Sequence, residues 1–351
     1  MAVCPATHMA SGDELTRSLA PMNYRRIAGP VSVAVVALAY RAYDAAVVEP
    51  MAAALRASQV ATFPGRTAVV VGATSGIGRG CAYRLAEAGY RVVAVGRDPV
   101  RGQAVVDTMA GTGHEFIPCD AFSLKAVKRC AAEISAKHPK LDALVLSQGM
   151  ATLQGFTPTP DGNDEKLSLH YWSRMGFTGL LLPALRDGTE PRVISVLSGG
   201  VHSAFAKWAE DPELKKGSYS IKNAADAGGF YNDLGLDHLA RADGNDNVVF
   251  VHACPGFVKT AWGTEMPWAL RVVIRGLQFL GKSPEDCAEE VLAPIFQSRE
   301  ELAPASGEHR GVVIMGDRAV PCKPTAGHTA EARDSVWRTT QDVLRRAGIE
   351  I

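Results

Sequence analysis

The segment Val69-Val70-Val71-Gly72-Ala73-Thr74-Ser75-Gly76-Ile77-Gly78 constrains this chain most, because an apolar run passes through closely spaced glycines into a helical pattern. Thr67 to Val71 are β-branched or apolar without alternation, as a strand buried on both faces requires. Ile77, Cys81, Leu85 and Ala88 then recur at helical spacing, and Gly89 stands where a helix stops. A second apolar run, Arg91 to Val95, ends in Gly96-Arg97-Asp98, closing a strand-helix-strand unit within about thirty residues. Gly72 suits the tight turn, Gly76 admits a phosphate without a Cβ in the way, and Gly78 lets the helix pack on the strand. The unit predicts a dinucleotide pyrophosphate site at Gly72, Thr74, Ser75, Gly76, Ile77 and Gly78, facing the positive helix end. An ordinary glycine-rich loop is the alternative, and the flanking strand and helix weigh against it.

The same alternation continues along the chain. Strands are predicted at Thr67 to Val71, Val92 to Val95, Glu115 to Pro118, Ala143 to Ser147, Val193 to Leu197, Val248 to His252 and Val312 to Met315. Helical patterns lie between them near 76–89, 99–110, 123–137, 162–186, 220–242 and 284–298. This order predicts the α/β class, a doubly wound parallel sheet (Rossmann fold) forming one domain over residues 63–351. Ligands of such sheets bind beyond the carboxyl ends of the strands, so the residues just after each strand are the candidates for function.

Lysine plus arginine equals aspartate plus glutamate at 37 each, which argues against a nucleic-acid partner. Seven cysteines without a C-x-x-C pair read as reduced thiols in a cytosol-like compartment, with no metal site. Residues 1–62 form an N-terminal extension outside the nucleotide fold. Its apolar run Val31 to Tyr40 is followed by Arg41 and Asp44 and ends at Glu49-Pro50, too short and too charged for a membrane span. Three readings of the extension stay open: an amphipathic helix lying on the domain, attachment to a membrane surface, or organelle targeting. Arg17, Arg25 and Arg26 favour targeting, and Asp13 and Glu14 oppose it.

At its strand ends the chain resembles the short-chain dehydrogenase/reductase superfamily over roughly residues 64–315, and is most like the subgroup of retinol dehydrogenases and related fungal and oomycete reductases. In the glycine signature Val71 replaces the usual Thr. Cys119-Asp120 matches the aspartate that meets the adenine ring. Ser147-Gln148-Gly149 matches Asn-Ala-Gly with only the glycine kept. Pro255-Gly256-Phe257-Val258-Lys259-Thr260 matches the Pro-Gly-x-x-x-Thr segment that holds the nicotinamide carboxamide. The resemblance thus implies cofactor contacts at Asp120, Ser147, Gly149, Pro255, Gly256, Val258 and Thr260. Arg97, just after the second strand, favours NADP over NAD, because a guanidinium clamps a 2'-phosphate where an acid would bind the ribose. The alternative is a surface arginine paired with Asp98.

Family reductases move a hydride between nicotinamide C4 and a carbonyl while a Tyr supplies the proton. A Lys lowers the Tyr pKa, a Ser orients the oxygen, and an Asn holds a relay water. Ser198 stands at the serine position, although a turn serine would read the same way. His170 fills the Asn position, where it would hold the water, transfer a proton, or simply pack beside Tyr171 and Trp172. The Tyr-x-x-x-Lys pair is absent: no tyrosine has a lysine four residues later, and counting back from Pro255 puts Ala225 and Gly229 in those slots. Tyr219-Ser220-Ile221-Lys222 is the nearest substitute, so Tyr219 is expected as the acid, helped by Lys222, or else as a structural tyrosine at a helix entrance.

A substrate lid is expected at about 261–283, with Leu270, Val273, Ile274 and Leu277 forming an apolar face opposite Arg271 and Arg275. Such a face covers an apolar substrate, touches a membrane surface, or packs into the core. Val336, Trp337, Thr340, Val343 and Leu344 mark a C-terminal helix that docks on the domain or on a partner subunit, a homo-oligomer being a family expectation. The expected function is an NADP-dependent oxidoreductase for a hydrophobic carbonyl or alcohol. The rival is an NADP-binding scaffold or sensor without turnover.

Overall fold

Parallel strands whose two faces both carry apolar residues need helices on both sides, and this is the arrangement found. The computed structural model describes residues 62–260, 281–302 and 311–351, together with Trp268, Arg271 and Gln278. The extension before residue 62 and most of the expected lid lie outside these residues.

Seven parallel strands form one sheet: β1 (Thr67–Val71), β2 (Arg91–Gly96), β3 (Glu115–Pro118), β4 (Ala143–Leu146), β5 (Arg192–Val196), β6 (Val249–Ala253) and β7 (Val313–Met315), in spatial order β3-β2-β1-β4-β5-β6-β7. The strand order reverses between β1 and β4, whose register pairs Val71 with Leu146, and sheets of this kind bind ligands beyond the carboxyl ends at such a reversal. Successive β1 residues feed opposite cores. Val69 and Val71 join a cluster with Leu144, Trp172 and Phe250, while Ala68 and Val70 join Cys81, Leu85 and Cys287 on the other face.

The helices are α1 (Gly76–Glu87), α2 (Pro99–Asp107) and α3 (Leu124–Lys137), then α4, which starts as Glu165–Leu167, widens to a π-helical stretch at Ser168–Trp172, and continues as Ser173–Arg186. After these come α5 (Ile221–Arg241), α6 (Pro284–Val291), two single-turn helices (Ala293–Phe296 and Arg299–Leu302) and α7 (Ala330–Arg346). The pattern predicted near 284–298 is thus broken, with Pro294 entering a new turn. The Ser283 hydroxyl caps α6 at the Asp286 N–H, 2.9 Å away, and Pro284 occupies the first helical position, where its missing N–H costs nothing.

The C-terminal helix docks on its own domain. Val336, Trp337, Thr340, Val343 and Leu344 are buried against the core, and Trp337 stacks on His238 with ring centroids 4.4 Å apart. Asp237 on α5 ties this junction: Arg241 Nε (2.9 Å), Arg333 Nη1 (3.3 Å) and His328 Nε2 (3.3 Å) surround its carboxylate. Burial alone would raise its pKa, but the bonds from His328 and Arg241 prevail and hold it down at about 2. A depressed carboxylate stabilises the fold above its unfolded pKa and loses that effect as pH falls through its folded one. Replacing Asp237 by Asn is therefore expected to cost ~2 kcal/mol in urea denaturation at neutral pH. The gap between the two proteins should close as pH drops from 3.8 toward about 2.

Candidate active site at the carboxyl end of the sheet

The glycine loop builds a cradle that a side chain would fill. Gly72 has φ +86°, and a Cβ on it would lie 2.7 Å from the Gln148 nitrogen on the neighbouring strand end. A Cβ on Gly78 would meet the Gly72 carbonyl at 2.3 Å, so only glycine lets α1 sit this close to β1. Thr260 Cγ2 faces Gly76, 3.2 Å from where a Cβ would stand, which brings the Pro255–Thr260 segment against the glycine loop. Thr74 packs over Gly96, and the Ser147 N–H binds the Val71 carbonyl at 2.9 Å. Ser75 starts α1 without a side-chain cap, leaving its first-turn amides for an anion. These features fit a dinucleotide along the path predicted from Gly72 through Gly149 to Gly256 and Val258.

Beyond β2, Asp98 does not pair with Arg97. Its carboxylate accepts from the Val100 and Arg101 N–H groups and from Arg101 Nε at 2.7 Å, capping α2. Arg97 is exposed and lies over the Phe122 ring, 5.0 Å from the centroid, with no ion pair among the described residues. Asp120 turns the chain into that ring by accepting from the Phe122 N–H at 3.1 Å. The arginine therefore stands on an aromatic platform that belongs to the same turn as the predicted Asp120.

The centre departs from the family pattern in a definite way. Ser198, just past β5, has a buried hydroxyl without a hydrogen-bond partner among the described residues. It packs on α5 at Gly229, where a Cβ would come within 2.4 Å of Ser198 Oγ and 2.6 Å of His202 Cγ. The slot expected for lysine is thus occupied by Ser198 and His202, while Ala225, in the tyrosine slot, is exposed. His170 lies in the π-helical stretch, its Nε2 accepting from the Met150 N–H at 3.1 Å. Burial, with the nearby Arg174 cation, pushes its pKa down to about 3, so the imidazole is neutral. Widening of the helix here re-aims its side chains, a device common at functional sites.

Tyr219 and Lys222 separate. Lys222 points to solvent and pairs with Asp226 one turn along α5, because a lysine on the exposed first turn of a helix finds its i+4 acid. This corrects the expectation that Lys222 assists Tyr219. The Tyr219 hydroxyl instead accepts from Lys166 Nζ at 3.1 Å, and its ring meets Phe156 edge-on. Burial and the Asp164 and Glu165 carboxylates push the phenol up to about 12, against the direction an acid requires.

Several residues here were not singled out from the sequence. Arg174 is buried and gives its guanidinium to the carbonyls of Leu169 (3.1 Å), Val196 (3.0 Å) and Gln148 (2.6 Å) and to Ser195 Oγ (2.7 Å). Asn232 accepts from Ser195 Oγ (2.7 Å) and donates to the carbonyls of His170 (2.6 Å) and Gly228 (2.7 Å). Asp233 meets both His202 and His252. Two consecutive polar residues, Asn232 and Asp233, within the apolar stretch Phe230 to Leu236 were the available signal, since buried polar groups occur where partners await them.

Residues 66–210 match the family model described as short chain dehydrogenase. Polyprenol dehydrogenase from Mus musculus is 35% identical over 241 residues, covering 64% of this chain and 70% of that protein. The NmrA-like family domain-containing oxidoreductase notO of Aspergillus sp. is 30% identical over 204 residues, 56% of this chain; the present chain spans only 61% of its length. Among solved structures, a short chain dehydrogenase from Shigella flexneri complexed with NADP superposes with a TM-score of 0.53 at 17% identity, covering 74% of this chain and 99% of that one. The chain belongs to the short-chain dehydrogenase/reductase family, whose members bind a nicotinamide cofactor.

Arg174 joins β4, β5 and the π-helical stretch through four hydrogen bonds that a lysine cannot reproduce. Substituting Lys for Arg174 is expected to lower unfolding free energy by about 3 kcal/mol, the scale for losing charged hydrogen bonds to buried acceptors. Chemical denaturation of the two proteins checks this.

Proposed function

We propose that this chain is an NADP-dependent oxidoreductase that interconverts a carbonyl and an alcohol on a hydrophobic small molecule. The observation that carries the apolar substrate is where large hydrophobic side chains are exposed. Leu153 and Phe156 follow β4, Val201 follows β5, Ile221 opens α5, Phe257 follows β6 and Val320 follows β7. Among the described residues the other large exposed hydrophobics are Val100, which follows β2, and Trp268 in the expected lid segment. Apolar groups gathered at one edge of a sheet mark a binding surface, whereas scattered ones do not. The polyprenol dehydrogenase among the relatives, named for an apolar alcohol, supports the same substrate class.

Arg97 on the Phe122 platform supports NADP, as does the NADP complex of the Shigella flexneri protein. The bound nicotinamide supplies or accepts the hydride. Ser198 Oγ, the one polar group of that residue without a partner among the described residues, orients the substrate oxygen. Tyr219 supplies the proton, with the Lys166 ammonium donating to the oxygen that would carry phenolate charge. His170 keeps the relay position as a neutral imidazole and fixes the Met150 amide.

A second reading, a scaffold or sensor that binds NADP without turnover, is favoured by the filled lysine slot at Gly229 and by the raised Tyr219. Fluorescence titration with NADPH and NADH, and NADPH oxidation over a panel of apolar aldehydes, ketones and quinones, separate the two. Arg97→Ala is expected to weaken NADPH about 10- to 100-fold and leave NADH unchanged, the range for losing a charged hydrogen bond to phosphate. Turnover should fall about 100-fold or more in Tyr219→Phe, the scale of lost acid catalysis. Binding without turnover on the whole panel would establish the scaffold, and unaltered turnover in Tyr219→Phe would remove that residue from the mechanism.

A further inference from the structure

Asp233, His202 and His252 lie in contact beneath Ser198, and the bonds of each ring decide where its protons are. His252 Nδ1 meets Asp233 Oδ1 at 2.5 Å, while its Nε2 accepts from the Ser198 N–H at 3.1 Å. One nitrogen must donate and the other must accept, so His252 is neutral with its proton on Nδ1. His202 differs. Its Nδ1 donates to the Ser198 carbonyl at 2.9 Å, and its Nε2 approaches Asp233 Oδ2 at 3.1 Å, an ion-pair contact that is not an aligned hydrogen bond. Nδ1 faces a carbonyl and Nε2 a carboxylate oxygen, so a proton on each nitrogen is the favoured state of this ring. The rings stack with centroids 5.7 Å apart, and both side chains are almost wholly buried.

The trio also has the residue types of a metal site, with ligand atoms all within 4.8 Å. The tautomers argue against that use. A metal on His252 Nδ1 would require an imidazolate, because Nε2 is already accepting a proton donor.

We infer that His202 is a fixed imidazolium that places a positive charge against Gly229, in the slot where the family carries its lysine, and that Asp233 acts through both histidines to position Ser198. One carboxylate thereby holds the serine backbone at both its N–H and its C=O, leaving only the hydroxyl uncommitted. Charge balances within the trio: one anion, one cation and one neutral ring, as a dry site demands. The glycine is part of the device, since any Cβ at 229 would strike the His202 ring.

Electrostatics agree with the geometry. For His202 burial works against the charged form, but the Asp233 carboxylate and the Ser198 carbonyl prevail and raise its pKa above the usual 6.5. His252 is lowered, chiefly by burial, and Asp233 is lowered by the two rings against its own burial. Around the trio stand Asp226 on α5, which also favours the imidazolium, Arg174 on α4, which opposes charge on His252, and Cys322 after β7, whose thiol feels Asp233. A raised histidine contributes its stabilisation fully below 6.5 and loses it as pH rises through the folded value.

The kinetic consequence rests on the oxidoreductase reading; the protonation states do not. NMR of the full chain with isotope-labelled histidine, assigned through bonds, should show His202 losing its second proton only above 6.5. His252 should remain the neutral Nδ1–H form. Titration of His202 at or below 6.5 would overturn the inference whether or not the protein turns anything over. His202→Asn keeps an N–H for the Ser198 carbonyl and removes the charge. With NADPH affinity kept, its kcat should fall about 10- to 100-fold, as when a group that orients another is lost. The alkaline limb that His202 gives the wild-type kcat profile should vanish. Wild-type kcat and an unchanged profile in this variant would refute the positioning role. Absence of turnover in the wild type would defeat the oxidoreductase reading and leave the NMR result to decide the charge.

Discussion

Backbone packed directly on backbone at the carboxyl edge of the sheet is the constraint on which the rest depends. Gly72 lets β1 close on the start of the Ser147-Gln148-Gly149 loop, and a Cβ at Gly199 would stand 2.3 Å from the His252 carbonyl and 2.8 Å from that of Met315. The loops leaving β1 and β4 are thereby drawn together, and so are those leaving β5, β6 and β7. Where a ligand would sit follows from the strand-order reversal, but how closely the loops around that place approach one another follows from these contacts.

Around this edge positive charge has been redistributed. The α5 position where the family resemblance implies an ammonium is a glycine, and the space is filled by the His202 ring and the Ser198 hydroxyl. A guanidinium, Arg174, is buried behind the same strands and spends its donors on carbonyls and a serine, with burial lowering its pKa to about 9. Lys166 reaches Tyr219 from α4, not from α5. Interior cations persist only with acceptors in place, so each of these groups also stiffens the segment that feeds it.

The glycine loop was legible because its requirements are local. A buried strand, glycines at set offsets and a helix start lie within a dozen residues, whereas Ser147, Gly149, Pro255 and Thr260 were singled out only through the family resemblance of the segments that follow β4 and β6. The seven strands emerged within a residue or so of their predicted limits for the same local reason as the loop. The catalytic half was less legible. Tyr219 and Lys222 were linked by nearness in sequence, yet the chain enters α5 between them, sending the lysine to Asp226 and leaving the tyrosine to Lys166, 53 residues earlier. Adjacency misled likewise at Arg97, which stays exposed as the alternative had it but does not pair with Asp98, because Asp98 is committed to the α2 cap.

By itself the sequence determined the alternation of strands and helices, the location of the phosphate cradle and the absence of the Tyr-x-x-x-Lys pair, since these depend on periodicity, glycine sterics and residue identity within one stretch. Tertiary structure decided what replaces the missing pair. His202, Asp233 and His252 come from a loop, a helix and a strand, and nothing in their spacing announces that one carboxylate will hold two rings of opposite protonation state. That outcome depends on burial and on which atom faces which, quantities that exist only once β5, β6 and α5 have packed.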